Sequence, residues 1–284
     1  MNMNKISIII PTAGEVFLQK TIDGIFESAT GDVEVIVYLD GYWPNPPIVD
    51  HPFVHIIHTD RVGMFEAINS AVRISTGKYI MKLDGHCILD KGFDDKLKED
   101  FEDNWLSVPR RYDLIADEWK RGNKITDYEY IAPPRKKSPD DPEHWERGFN
   151  GKHWSLPDRE NILIDDLMTF QGSCWFMSKA YYEEIGGLDL GNFWLEAQHL
   201  GNKVWLSGGR VILNKKTWYA HLHKGKDMGR GYSISRSSCH IKKDIIDFWM
   251  NNRWGKQTRP MKWLIEKFNP PGWENWDWEK AWTE

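Results

Sequence analysis

Apolar and polar positions along the first ninety residues alternate with two different periods. Residues 6–11 form a β-branched apolar run, residues 33–39 form a second that ends at Asp40-Gly41, and residues 54–58 form a short third. Between them, residues 15–28 and 63–76 carry apolar side chains at helical spacing, the latter through Met64, Ala67, Ile68, Ala71, Val72 and Ile74. Residues 78–83 read as a further buried strand that runs directly into Asp84-Gly85-His86. Strands alternating with crossover helices predict an α/β chain whose central sheet is Rossmann-like, mostly parallel and flanked by helices. Ligands are then expected beyond the carboxyl ends of the strands, where Asp40 and Asp84 both fall.

The pattern breaks at residues 108–160. Pro109-Arg110-Arg111, the Pro133-Pro134-Arg135-Lys136-Lys137 run and the polar stretch to Arg159 predict a long irregular insertion, a segment type that commonly serves as a lid. Apolar residues resume at 167–177, a short helix over 179–185 stops at Gly186-Gly187, and a helix over 193–205 closes at Gly208-Gly209 before a strand at 210–213. A glycine-rich run at 225–231 predicts flexibility, and helical spacing returns at 241–251. The organisation expected is a main domain over 1–235, comprising a nucleotide-binding half (1–107), an insertion or lid (108–165) and an acceptor half (166–235). A helical, Trp-rich C-terminal extension over 236–284 would pack on that body.

Composition narrows the partners. The formal net charge of −5 argues against a globally basic nucleic-acid binder. Cys87, Cys174 and Cys239 have neither zinc-like nor disulfide-framework spacing, which suits a reducing compartment, and the N-terminus reads as neither a signal peptide nor a membrane span. A cytoplasmic location is the expectation. Sixteen tryptophans are far above ordinary usage. Trp273, Trp276, Trp278 and Trp282 predict a tail packed on the body, with an acceptor-stacking platform as the alternative.

The most informative local chemistry is Asp84-Gly85-His86. Side chains two apart on an extended strand point the same way, so a carboxylate and an imidazole project together while Gly85 leaves room for a ligand. That pair suits a borderline divalent cation such as Mn²⁺, with Mg²⁺ as the alternative.

Several segments, in order, resemble the GT-A-fold nucleotide-sugar glycosyltransferases of the family 2 type. Ser7-Ile8-Ile9-Ile10-Pro11-Thr12 is similar to the family's opening strand and nucleotide-contacting turn, and residues 35–41 to its second strand with a terminal acid. Arg61-Val62-Gly63-Met64 through Lys78-Tyr79-Ile80 resembles the helix leading to the metal motif, and Asp84-Gly85-His86-Cys87 stands where the family has Asp-x-Asp. The Asp-x-His form is particularly similar to polypeptide N-acetylgalactosaminyltransferases. Residues 170–177, Gly186-Gly187-Leu188-Asp189, Phe193-Trp194-Leu195-Glu196 and Val204-Trp205-Leu206-Ser207-Gly208-Gly209 resemble the acceptor-side segments, although Leu195 stands in place of a glycine and Gln198-His199 depart from the pattern.

The resemblance implies a metal-dependent hexosyl transfer from a nucleoside-diphosphate sugar, expected to be a UDP-sugar, to a hydroxyl. It implies Asp84, His86 and His221 as metal ligands, with His223 the rival to His221. It places Pro11, Thr12, Ala13, Glu15, Asp40, Arg61, Asp84 and Lys224 around the nucleotide, and Arg61 could instead lock Asp84. Lys224, Lys226 and Arg230 would belong to a closing segment. Glu196 is the candidate general base of an inverting reaction, or a sugar-binding group in a retaining one, with Asp189 the second-choice acid. The acceptor stays open between a saccharide, a protein hydroxyl and a hydroxymethylated DNA base, the last suggested by Arg110, Arg111, Arg135–Lys137, Arg253, Lys256 and Arg259 among tryptophans. A catalytically silent sugar-nucleotide or glycan-binding module and a metal-dependent nucleotidyltransferase or hydrolase are the other readings.

Overall fold

The computed structural model describes residues 4–134, 148–191, 195–224 and 238–279, with the side chains of 238–242 left aside. Its first half follows the predicted alternation: β1 (Ile6–Thr12), α1 (Leu18–Ser28), β2 (Val33–Asp40), β3 (Val54–Thr59), α2 (Met64–Ile74), β4 (Tyr79–Leu83), β5 (Cys87–Leu89) and α3 (Phe93–Lys98). Strands β3, β2, β1 and β4 lie side by side and parallel. Helix α1 buries Leu18, Thr21, Ile22 and Ile25, one stripe at the spacing a packed helix requires.

Successive residues of these strands bury into opposite layers. Ile9, Ile36 and Ile80 join a core with α2 and the later helices, whereas Ile8, Ile10, Val35, Val37, Met81 and Leu83 join one with α1 and α3. Covering both faces explains why these strands read as continuous apolar runs instead of alternating ones.

The expectation of an irregular insertion over 108–165 is corrected. Strand β6 (Trp105–Ile115), 11 residues long, enters it and continues to Ile115, followed by β7 (Lys120–Thr126), β8 (Tyr128–Ile131) and β9 (Gly151–Trp154). Arg110 and Arg111, which disguised β6, are neutralised across the fold. Arg110 is bidentate to Asp127 at 3.1 and 2.8 Å, and Arg111 lies 3.3 Å from Glu129. The Arg135–Lys137 run lies outside the described residues.

Further on come β10 (Ile164–Asp166), β11 (Cys174–Ser178), α4 (Lys179–Glu184), α5 (Glu196–Leu206) and β12 (Arg210–His221). The sheet order is β10-β12-β6-β11-β4-β1-β2-β3, with β5 on β12 and β7 on β6. Beyond β4 the sheet is mixed: β11 is antiparallel to β4 and β6, and β12 is parallel to β6. Strand β12 extends eight residues past the predicted strand end at 213, because a register shift between Asn214 and Trp218 absorbs the polar Lys215-Lys216 and lets pairing resume. That extension delivers His221.

Helices α6 (Ser238–Met250) and α7 (Met261–Phe268) follow. Trp249, Trp254, Met261, Leu264 and Trp273 belong to the same core as α5 and β11, and the Trp273 indole donates to the Ile131 carbonyl at 2.7 Å. Burial of Trp273 favours packing over an exposed platform; Trp282 lies outside the described residues. Among the described residues, no helix is long and apolar enough to cross a membrane.

Candidate active site

The carboxyl end of β4 is where the parallel and mixed parts of the sheet meet. Asp84 leaves β4 with its backbone N–H bonded to the Ser173 carbonyl at 2.9 Å, while the β5–β12 pairing sets His221 opposite Cys87. The result brings together side chains up to 137 positions apart: His221 Nε2 lies 3.2 Å from Asp84 Oδ2 and His86 Nε2 lies 3.9 Å from the same oxygen. Ligand atoms of Asp84, His86 and His221 all fall within 4.8 Å of one another. One carboxylate oxygen and two imidazole nitrogens at that separation fit a borderline divalent cation. His223 is exposed and lies outside this trio.

Supporting contacts orient the ligands. His86 Nδ1 is 2.7 Å from Glu15 Oε2, which directs Nε2 toward Asp84, the arrangement that commonly fixes a metal-binding imidazole. Lys224 donates to the same Glu15 oxygen at 2.5 Å. Glu15, expected beside the nucleotide, is thus buried between His86 and Lys224. A side chain at Gly85 would meet Glu15 Cγ at 2.9 Å, so this packing requires the glycine.

Electrostatics favour the ligating forms. Burial alone would raise the Asp84 pKa, but Lys82 and His221 outweigh it and hold the carboxyl far below the usual range. Burial, helped by the neighbouring His86 and Arg111, lowers His221 to about 4 against the pull of Asp84. At neutral pH the imidazole is therefore uncharged and keeps a lone pair. The Glu15 carboxyl is also depressed, because His86 and Lys224 overcome its burial.

Glu196 begins α5 behind this trio. It is 5% exposed and accepts from the Trp175 indole at 2.9 Å, while its Oε2 lies 3.8 Å from Lys82 Nζ. Burial pushes its pKa up, against Lys82 and Trp175. The residue before it, Leu195, has φ 58, a left-handed conformation that suits the glycine expected there by resemblance and costs leucine about 1 kcal/mol. Phe193, Trp194, Lys226 and Arg230 lie outside the described residues. Asp189 sits elsewhere, 2.8 Å from His199 and 2.5 Å from Lys203.

The residues expected beside the nucleotide are dispersed along the strand ends. Asp40 accepts from the backbone N–H groups of Val62 at 2.6 Å and Gly63 at 3.1 Å, so it caps the entry to α2. Thr12 shares a 2.9 Å hydroxyl contact with Tyr42, a residue the sequence reading missed. Pro11 and Ala13 are half-buried beside them, and Arg61 is exposed. Next to His221, a cavity of about 150 Å³ is lined by Arg111, Asp113, Lys124, Thr126, Gln171 and His223. Lys82 was also missed, although a lysine inside the otherwise apolar Tyr79–Leu83 strand was a visible signal.

The family model described as "Glycosyl transferase family 2" matches residues 7–186. The "Probable N-acetylgalactosaminyltransferase 8" of Caenorhabditis elegans is 28% identical over 173 residues, which cover 58% of this chain and 38% of that protein. A crystal structure of GalNAc-T7 with UDP, GalNAc and Mn²⁺ superposes with a TM-score of 0.68 at 14% identity, covering 94% of this chain and 57% of that one. S. aureus TarS 1-349 in complex with UDP-GlcNAc gives 0.57 at 12% identity, covering 92% and 70%. The chain spans 32% and 38% of the curated relatives it matches. At such identities the structural likeness establishes the fold, the GT-A arrangement.

Proposed function

Because the chain belongs to glycosyl transferase family 2, we propose that it is a metal-dependent glycosyltransferase, moving a hexosyl group from a UDP-sugar to a hydroxyl acceptor. The observation that carries this reading is the convergence of Asp84 and His86, from the bend after β4, with His221, from β12, beside a cavity. In the proposed site those three side chains hold Mn²⁺ or Mg²⁺. Such a cation, when bound, supplies a Lewis acid that offsets the charge developing on a departing diphosphate. Thr12 and Asp40 contribute to the uridine pocket, with Pro11, Ala13 and Arg61 shaping its edge. Lys224 faces the diphosphate from its place on Glu15.

In the transfer, the bond between the anomeric carbon and the diphosphate oxygen breaks and its electron pair leaves with the nucleoside diphosphate. The acceptor oxygen forms the new bond to that carbon, and Glu196 takes the acceptor's proton. Burial, which raises the affinity of Glu196 for a proton, supports this role. Glu196→Gln is expected to lower kcat about 100-fold with donor affinity retained; an unchanged kcat with a raised donor KM would reassign Glu196 to holding the sugar.

The acceptor reading is a saccharide or protein hydroxyl. Engagement of Arg110 with Asp127, of Arg111 with Glu129 and of Lys256 with the Glu184 carbonyl leaves these cations poorly placed for a DNA backbone. The test is a thermal-shift series of nucleotide sugars with and without Mn²⁺, followed by product analysis, since a ligand of the native state raises apparent stability. Metal-dependent stabilisation with release of UDP is expected. Release of pyrophosphate would mark a nucleotidyltransferase, and binding without turnover of the donor would mark a silent module.

A further inference from the structure

Strand β4 is Tyr-Ile-Met-Lys-Leu, and all five residues are buried. Lys82 is 1% exposed, so its ammonium must find acceptors inside the protein. It donates to Asp84 Oδ1 at 2.6 Å and to the Gly172 carbonyl at 2.5 Å, and Glu196 Oε2 lies 3.8 Å away. Sheet register explains the third neighbour. Lys82 pairs with Trp175 across the β4–β11 ladder, and it is the Trp175 indole that holds the other Glu196 oxygen. Gly172 approaches closely because it lacks a Cβ, which would collide with the Glu196 carboxylate.

The two oxygens of Asp84 are therefore assigned different tasks. Oδ1 is occupied by Lys82, whereas Oδ2 faces His221 and His86. The second carboxylate near the trio, Glu15, carries its own ammonium, Lys224. Lys82, shared between Asp84 and Glu196, and Lys224 on Glu15 thus offset most of the negative charge here, and the two imidazoles add none. A dication drawn to this set meets one available carboxylate oxygen and two nearby ammonium groups, a weak attraction. A diphosphate supplies the missing negative charge.

We propose that Lys82 is a positioning residue that restricts Asp84 to one ligand oxygen, ties it to Glu196 and keeps divalent-cation affinity low until a nucleoside diphosphate is present. This inference rests on the metal-dependent reading given above. Its signature is a gain of one property with loss of another. In full-length Lys82→Met, Mn²⁺ alone, followed by the paramagnetic signal of the free ion, binds at least about tenfold more tightly than to the unaltered chain. The enhancement of Mn²⁺ affinity by UDP shrinks, UDP affinity at saturating Mn²⁺ weakens by the same factor because the coupling is reciprocal, and kcat falls at least about tenfold. Lys82→Arg, which keeps the charge, restores weak Mn²⁺ binding.

A lysine that merely filled space would not tighten metal binding on removal. Unchanged or weaker Mn²⁺ affinity in folded Lys82→Met overturns the proposal. If that variant does not fold, Lys82→Met combined with Glu196→Gln removes one charge of each sign. A smaller tightening toward Mn²⁺ alone is expected, because Asp84 Oδ1 is freed while the local charge is unchanged, and its absence overturns the proposal equally. Failure of the unaltered chain to bind Mn²⁺ even with UDP would remove the metal-dependent reading itself, a result distinct from normal binding that Lys82 does not influence.

Discussion

The sheet is built differently on the two sides of β4. On one side, β1 and β2 run parallel to it and bury apolar side chains into both layers, with all eight positions of β2 buried. On the other, β6 and β12 carry Arg110, Arg111, Lys215 and Lys216 within their strands, and partners far along the chain make them tolerable. Burial on the first side is a local property of each strand. On the second it is a property of pairs, such as Arg110 with Asp127, that exists only once the strands are in register. The candidate site straddles this seam: Asp84 comes from β4, and His221 and Glu196 come from elements beyond it.

If that contrast is right, damage to chemistry and damage to stability should separate. The largest effect is expected from Asp84→Ala, which removes the seam's ligand; turnover of the donor should fall at least about 10³-fold. Unfolding midpoints measured in parallel should also fall, because Asp84→Ala leaves the buried Lys82 ammonium one acceptor short, so turnover is compared where the variant is fully folded; normal turnover there would end the metal assignment. Ile36→Ala tests the parallel side, where it empties a fully packed position; about 3 kcal/mol of unfolding free energy should be lost in denaturant titration. Donor turnover at low temperature should remain close to normal, because Ile36 contributes packing and no contact to the trio.

A smaller effect comes from Glu34 on β2, a charge inside the apolar side. Burial would raise its pKa, but hydrogen bonds from Lys5, Ser7 and Thr76 overcome that and depress it from 4.5 to about 2. Stability from this group is present above pH 4.5 and is withdrawn as pH falls toward 2. Glu34→Gln should lower stability at pH 7 by about 2 kcal/mol and reduce the loss between pH 5 and about pH 2. An unaltered acid dependence in that variant would contradict the assignment. The smallest effect is expected from Arg110→Ala on the mixed side, about 1 kcal/mol, since the pair is only partly shielded from water. A loss above about 3 kcal/mol would show that this side depends on its ion pairs as strongly as the other depends on apolar packing.

The same contrast accounts for what was legible in the chain. Strands β1, β2 and β4 and helices α1 and α2 were readable because hydrophobic period is written in neighbouring residues. Strand β6 looks irregular in the sequence because its arginines resemble surface residues until Asp127 and Glu129 stand beside them. The far half of strand β12 has no local signature in the sequence, because the irregularity that restores register after Lys215-Lys216 leaves no periodic pattern.

By itself, the sequence placed a carboxylate and an imidazole two residues apart at the end of β4, but the pleat expected to align them stops at Leu83, and the two converge in the bend before Cys87. It also determined, through resemblance, the order of the surrounding segments. Only the tertiary structure decided that His221 and not His223 completes the trio, that Glu15 serves His86, and that Lys82 joins Asp84 to Glu196. Those choices depend on distances between side chains 71 to 137 positions apart. Such distances are set by strand pairing and packing across the whole sheet, which no local period encodes.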